Sequence, residues 1–130
     1  MSRVVVTDYT FPDLAQEQAA AGADFQAFQC RTAEDVAAAV ARADVAVVQF
    51  APFGPAAAAA MKPGGTVIRY GVGYNNIDLD AARTHGLRVG YVPDYCADEV
   101  ADHTAAMALT MLRKLPMMDA SVKRGDWSAV

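Results

Sequence analysis

The chain predicts an α/β fold, a parallel five-stranded sheet with helices on both faces. Two observations carry that prediction: short β-branched runs recur along the chain, and alanine-rich stretches of helical length separate them. Strands that alternate with helices pair in parallel, because each crossover helix returns the chain to the same edge. Strands this uniformly apolar expect cover on both sides of the sheet.

The first strand is Val4-Val-Val6, and the later ones fall at residues 25–28, 45–48, 67–68 and 87–92. Helical stretches lie between them at 14–21, 33–41, 55–61 and 79–85. Thr32 with Asp35 three positions later resembles a capping box, although Asp is a weaker reciprocal partner than Glu. Asp78 is placed to cap the helix at 79–85, and His85 before Gly86 suits a helix C-terminus. Right-handed crossovers then set the loops 8–11, 49–54 and 71–76 along one edge, where open α/β sheets bind ligands.

Beyond the fifth strand the pattern changes. Residues 97–115 carry Val100, Thr104, Met107, Met111, Leu112 and Leu115 on one helical stripe, while Ala101, Ala105 and Leu109 make a second side apolar. A helix apolar around so much of its circumference expects burial on two sides. Pro116 interrupts it, and residues 117–124 continue as another helix. The pattern thus changes between a sheet domain at 1–96 and a helical appendage at 97–130.

Composition narrows the function classes. A chain of 130 residues that is 54% hydrophobic can bury one core and is too short for two ordinary domains. The net charge of -4, with Lys and Arg scattered singly, gives no basic stripe for nucleic acid. Two cysteines, Cys30 and Cys96, have no metal-type spacing and fit a reducing compartment. No run approaches the roughly 20 apolar residues of a membrane span, and the N-terminal apolar run is too short for a secretory signal. The expectation is a cytoplasmic protein with no membrane and no metal.

The most informative segment is Arg69-Tyr-Gly-Val-Gly-Tyr-Asn-Asn-Ile-Asp78. Two glycines after a strand let a ligand approach the main chain, and backbone N–H groups fanned out in such a loop suit a phosphate or a small carboxylate. A dinucleotide fingerprint does not fit, because Gly71-x-Gly73-x-x-Asn76 lacks the third glycine. Nor does an acidic residue end a second strand about 20 positions on. The carboxylate reading remains, with Arg69 equally suited to touch a ligand or to brace an acidic neighbour. On the 49–54 loop, Phe50 and Phe53 are candidates for lining the pocket. Asp102 and His103 suggest an acid–base pair, but adjacent helix positions point about 100° apart, so a structural histidine is favoured. Cys96 has no histidine placed to activate it.

These residues resemble the D-isomer-specific 2-hydroxyacid dehydrogenases, a family that includes phosphoglycerate dehydrogenases and the C-terminal-binding-protein corepressors. The carriers are the 69–78 segment, Ala81-Ala-x-x-x-Gly86-Leu-x-Val89, Val100-Ala-Asp-His103 and Arg124-Gly-Asp-Trp127, which together span residues 65–130. Residues 1–64 agree only in pattern. The resemblance implies a flavodoxin-like substrate-binding domain followed by the connector helix into an NAD-binding domain in cis. It implies that the backbone of Gly71, Val72 and Gly73 holds the carboxylate of a small 2-oxo or 2-hydroxy acid. Val100 and Thr104 then face the nicotinamide of NAD or NADP, and the complete enzyme is a homodimer. The family's nucleotide-binding turn and its catalytic arginine, glutamate and histidine fall after the position of Trp127. The resemblance thus assigns no catalytic residue to this chain, which is expected to bind no cofactor strongly and to be inert alone.

Two other classes compete with an enzyme portion. A cofactor-regulated, corepressor-like binding module is the alternative, since Tyr95-Cys-Ala-Asp-Glu-Val-Ala-Asp102 looks closer to that branch than to a phosphoglycerate dehydrogenase. A receiver-like domain, suggested by Val4-Val-Val-Thr-Asp8, requires an aspartate ending the third strand, where the chain has Gln49.

Overall fold

The computed structural model describes residues 2–22 and 24–128. Met1, Ala23, Ala129 and Val130, which the predicted stretches 1–96 and 97–130 include, lie outside the described residues. The chain divides into two compact units, with the boundary between Pro93 and Asp94.

The first unit runs β1 (Val4–Val6), α1 (Ala15–Ala21), β2 (Phe25–Ala27), α2 (Ala33–Ala39), β3 (Val45–Val48), α3 (Pro55–Ala60), β4 (Thr66–Arg69), α4 (Leu79–Thr84) and β5 (Arg88–Tyr91). All pairings are parallel, in the order β2-β1-β3-β4-β5. One rung of the sheet reads Val5, Ala46, Val67, Val89. Three of these, with Val48, pack against Val36, Ala39 and Val40 of the α2 region, Ala57 and Ala58 of α3, and Ala82 of α4. The alanines explain this close layering, since a helix face without long side chains sits directly on the valine rows.

Right-handed crossovers put α1 on the opposite face, because β1 to β2 runs against the direction of the later connections. Cover there is thin. α1 buries none of its residues, and Val4, Val45, Val47 and Ile68 are only half-buried.

Local signals account for the helix ends. Thr32 Oγ1 accepts from the Asp35 N–H at 3.1 Å while the Asp35 carboxylate accepts from the Thr32 N–H at 3.0 Å, so the capping box forms. Asp78 caps α4 by accepting from the Ala81 N–H at 2.8 Å. Pro55 opens α3, where its missing N–H costs nothing.

Two expectations change. The strands at 25–28 and 87–92 do not carry the expected burial: they are edge strands, and Gln26, Ala27, Arg88, Val89 and Tyr91 are exposed. The helix expected over 97–115 ends earlier. In the second unit α5 covers Ala97–Leu112 and α6 covers Leu115–Lys123, joined through Lys114 in a left-handed conformation at φ 53. The proline ring would meet the carbonyl four residues back, so the break falls upstream and Pro116 occupies the first turn of α6. α5 buries none of its residues.

Candidate functional site

At the C-terminal ends of β1, β3 and β4 the three predicted loops do meet. Asp8, just past β1, is 8% exposed. Its carboxylate accepts from the backbone N–H groups of Gln49 at 3.0 Å, Phe50 at 2.6 Å and Ala51 at 3.0 Å, and from the Thr7 hydroxyl at 2.8 Å. From the other side Asn76 donates its amide to the Ala51 carbonyl at 2.9 Å. A parallel bridge joins Phe53 to Ile77, with the Phe53 N–H donating to Asn76 O at 2.8 Å and the Asp78 N–H to Phe53 O at 2.9 Å. Loops 49–54 and 71–78 are thus tied along their backbones.

This tying separates the two phenylalanines. Phe53 is 1% exposed and belongs to the core, because the bridge to Ile77 turns its side chain inward. The expectation that both phenylalanines line one pocket changes, since Phe53 borders a different cavity from Phe50, with Pro52 and Asn76. Phe50 is 65% exposed, and its ring centroid lies 5.7 Å from the Arg69 guanidinium carbon, within cation–π range.

Arg69 has no acidic partner among the described residues, and its Nε is buried without a hydrogen-bond partner. Bracing an acidic neighbour is therefore not its role here. The guanidinium lies on Gly71: a Cβ at that position would fall 1.5 Å from Arg69 Nη1, and Gly71 has φ +149, a conformation that other residues rarely adopt. Gly71 is thus glycine for two internal reasons. Gly73 has neither, since its φ is not positive and no atom lies within 4 Å of where its Cβ would be.

A cavity of about 250 Å³ is lined by Phe50, Arg69, Gly73, Asn75 and Asn76. The Gly71 N–H donates to Arg69 O at 3.0 Å, whereas the N–H groups of Val72 and Gly73 have no acceptor among the described residues. Gly73, whose N–H is unengaged among the described residues, lines this cavity together with Arg69, a pairing suited to a small anion.

Two cavities are larger, one of about 390 Å³ beside Phe28, Cys30 and Asp35, and one of about 440 Å³ between Pro52, Phe53 and Asn76, which adjoins the 250 Å³ cavity through Asn75 and Asn76. Size does not select them, because the charges that line them are the Asp35 and Asp78 carboxylates, which cap helices and repel an anion, whereas Arg69 brings a cation to the smaller cavity. Burial and then the nearby Asp35 and Asp8 carboxylates push the Cys30 thiol up, away from the reactive thiolate. The Asp35 carboxylate is engaged in the capping box. At the fringe of the site Tyr70 donates to Glu17, a bond that with burial raises the phenol, and its ring meets Phe11 edge-on with centroids 5.1 Å apart.

Val100 and Thr104 lie on α5, in the second unit, and the Thr104 hydroxyl donates to the Val100 carbonyl at 2.7 Å. His85 does not line the 250 Å³ cavity, and His103 lies on α5 in the second unit. Among the described residues no group of three or more His, Cys, Asp or Glu could hold a metal, and no helix is long and apolar enough to cross a membrane.

Residues 4–124 match the family model described as D-isomer specific 2-hydroxyacid dehydrogenase, catalytic domain. The chain belongs to that family. Curated relatives within it include a D-3-phosphoglycerate dehydrogenase from Methanocaldococcus jannaschii, 42% identical over 59 residues. The match covers 45% of this chain and 11% of the relative. A human glyoxylate reductase/hydroxypyruvate reductase is 38% identical over 58 residues, covering 45% of this chain and 18% of that protein. The chain thus matches under a fifth of the length of these relatives. Among solved structures, the D-lactate dehydrogenase from Aquifex aeolicus complexed with NAD and lactic acid superposes with a TM-score of 0.84. The superposition covers 98% of this chain and 39% of that one, and at 23% identity it shows the shared fold. The five-stranded parallel sheet is therefore the dehydrogenase domain fold, and the family is one of oxidoreductases.

Sequence reasoning missed Asp8 and Asn76. The available signal was an aspartate just past the first strand, on a loop already placed at the ligand edge.

Proposed function

We propose that this chain is the substrate-binding portion of an NAD- or NADP-dependent D-2-hydroxyacid dehydrogenase, interconverting a small 2-oxo acid and its D-2-hydroxy acid when complete. The observation that carries this reading is the Arg69 guanidinium, without an acidic partner among the described residues, lying on Gly71 and sharing a cavity with Gly73, in a turn where the Val72 and Gly73 N–H groups are unengaged among the described residues. In this reading the two N–H groups and Arg69 hold the substrate carboxylate. Gly71 contributes its conformation, since its own N–H is already bonded to Arg69 O. Phe50 forms an apolar wall for the substrate side chain, and Gly73 leaves the room that the ligand occupies.

In this reading the described residues do not themselves form a dinucleotide site. Asn76 stands where the third glycine of a nucleotide turn would be, and its amide is engaged by Ala51. The Thr104 hydroxyl is taken by its own helix. The cofactor therefore belongs with a nucleotide-binding domain in cis, which also supplies the arginine, glutamate and histidine of catalysis. Residues 1–96 are the substrate domain and 97–130 the connector, the complete enzyme is a cytoplasmic homodimer, and the chain alone is inert.

Oxamate, a non-reacting 2-oxo acid analogue, tests this by NMR titration of the ¹⁵N-labelled chain. Shifts concentrated at Val72, Gly73 and the Arg69 side chain, lost in Arg69→Gln, are expected. Identical titrations of the two proteins sink the carboxylate site, and NADH oxidation by the isolated chain with glyoxylate sinks the inert-alone reading.

A further inference from the structure

We infer that Asp8 and Asn76 are positioning residues for the substrate cavity, a two-sided clamp that fixes Phe50 over Arg69 and thereby sets which substrate side chains fit; this rests on reading that cavity as the substrate site. Three successive N–H groups, those of Gln49, Phe50 and Ala51, converge on one point, the arrangement by which loops bind anions. Here the anion is the chain's own, the Asp8 carboxylate. With the Thr7 hydroxyl it receives four donors, as many as its lone-pair sites accommodate. The 49–51 loop is therefore closed to an external phosphate or carboxylate, and its amides serve to hold the loop still.

Asn76 completes the clamp by donating to the Ala51 carbonyl, so the loop's backbone is gripped through both its donors and its acceptors. Phe50 needs such a grip. A ring that is 65% exposed gains little from burial, and its cation–π contact with Arg69 does not by itself fix a loop. The clamp touches neither Val72 nor Gly73, so it governs the apolar wall and leaves the carboxylate donors to themselves.

Only a group with acceptors on every side suits the Asp8 position. Asp8→Asn keeps the shape but turns an NH₂ toward backbone N–H groups, leaving buried donors facing donors. Asn76→Ala loosens the loop from the opposite side without disturbing the buried carboxylate, and it serves where Asp8→Asn does not fold.

Amide hydrogen exchange and ligand titration on the 130-residue chain decide the question. Protection at Gln49, Phe50 and Ala51 should fall at least tenfold in either variant, with the rungs of β3 and β4 unchanged. Phenylpyruvate, which reaches Phe50, and glyoxylate, which has no side chain, should change their affinity ratio several-fold in either variant. The glyoxylate affinity itself should shift less than twofold in Asp8→Asn, whereas Asn76 borders the cavity and its variant is read by the ratio and the protection. If the variants keep both the protection and the ratio, the clamp falls while the substrate site stands. If the unaltered chain binds neither acid, the cavity reading falls and the clamp's role in substrate choice falls with it.

Discussion

Val5, Val48 and Val67 of the sheet unit have no exposed surface, whereas Val100, Met107, Leu109, Met111 and Leu112 of α5 stand open to solvent. Both sets are aliphatic or methionine side chains on regular elements, and the sequence marks them equally as core. The sheet valines disappear because α2, α3 and α4 bring alanine faces whose shape matches them. The α5 residues spread over more of the helix circumference than one neighbour can cover. Hydropathy thus marks surface that will be buried, but not against what. The sheet unit holds a core of its own, and the helical unit carries apolar surface of the kind that marks an interface.

Substitutions sharpen that contrast, and the largest effect belongs to the core. Phe53→Ala should cost about 3–5 kcal/mol in urea unfolding, the range for a large buried aromatic, and a loss under about 1 kcal/mol would show that the ring is not part of the core. Thr32→Ala should cost about 1 kcal/mol by removing the cap of α2. The same box gives a pH dependence. Bonds from the Arg31 and Thr32 N–H groups hold the Asp35 carboxyl below the usual carboxylate range. Its contribution is therefore present above the unfolded carboxylate's titration and is lost as pH falls through the lower folded value. Asp35→Asn should remove that part of the acid limb, and unchanged acid unfolding would count against it.

In the helical unit Leu112→Glu should leave unfolding within about 0.5 kcal/mol, as for an exposed position, while reducing self-association. Analytical ultracentrifugation checks it, and a clean monomer of the unaltered chain at high concentration breaks the interface reading. Gly73→Val should barely move the melting temperature, because nothing lies within 4 Å of the added Cβ and the backbone suits an L-residue. It should nonetheless abolish the oxamate-induced shifts. A melting-temperature drop of several degrees would show instead that Gly73 serves the fold.

Most of the fold was legible because its signals are local. β-branched runs, alanine helices and the Thr32 and Asp78 caps each act within a few residues, and β1 and β3 fall at their expected bounds. What escaped depends on partners distant in sequence. Phe50 and Phe53 are alike until the bridge to Ile77 buries one of them. Asp8 gains its role only through amides more than 40 positions away, and Arg69 is informative because it forms no ion pair among the described residues. Edge position, which exposes β2 and β5, is a property of the assembled sheet and leaves no mark on single strands.

The placement of β1 also carries a consequence for how the chain reaches this state. Val4 pairs with Phe25 on one side and Val45 on the other, so the first strand of the chain lies inside the finished sheet. During synthesis β1 must wait, unpaired on one edge, until β3 has emerged behind two helices and a strand. Parallel pairing of this kind closes long loops before it gains contacts, which slows folding and leaves a valine-rich edge open to other chains in the interval. Conditions that delay β3, such as slow translation between residues 28 and 45, should therefore lower the yield of folded protein without changing its final stability.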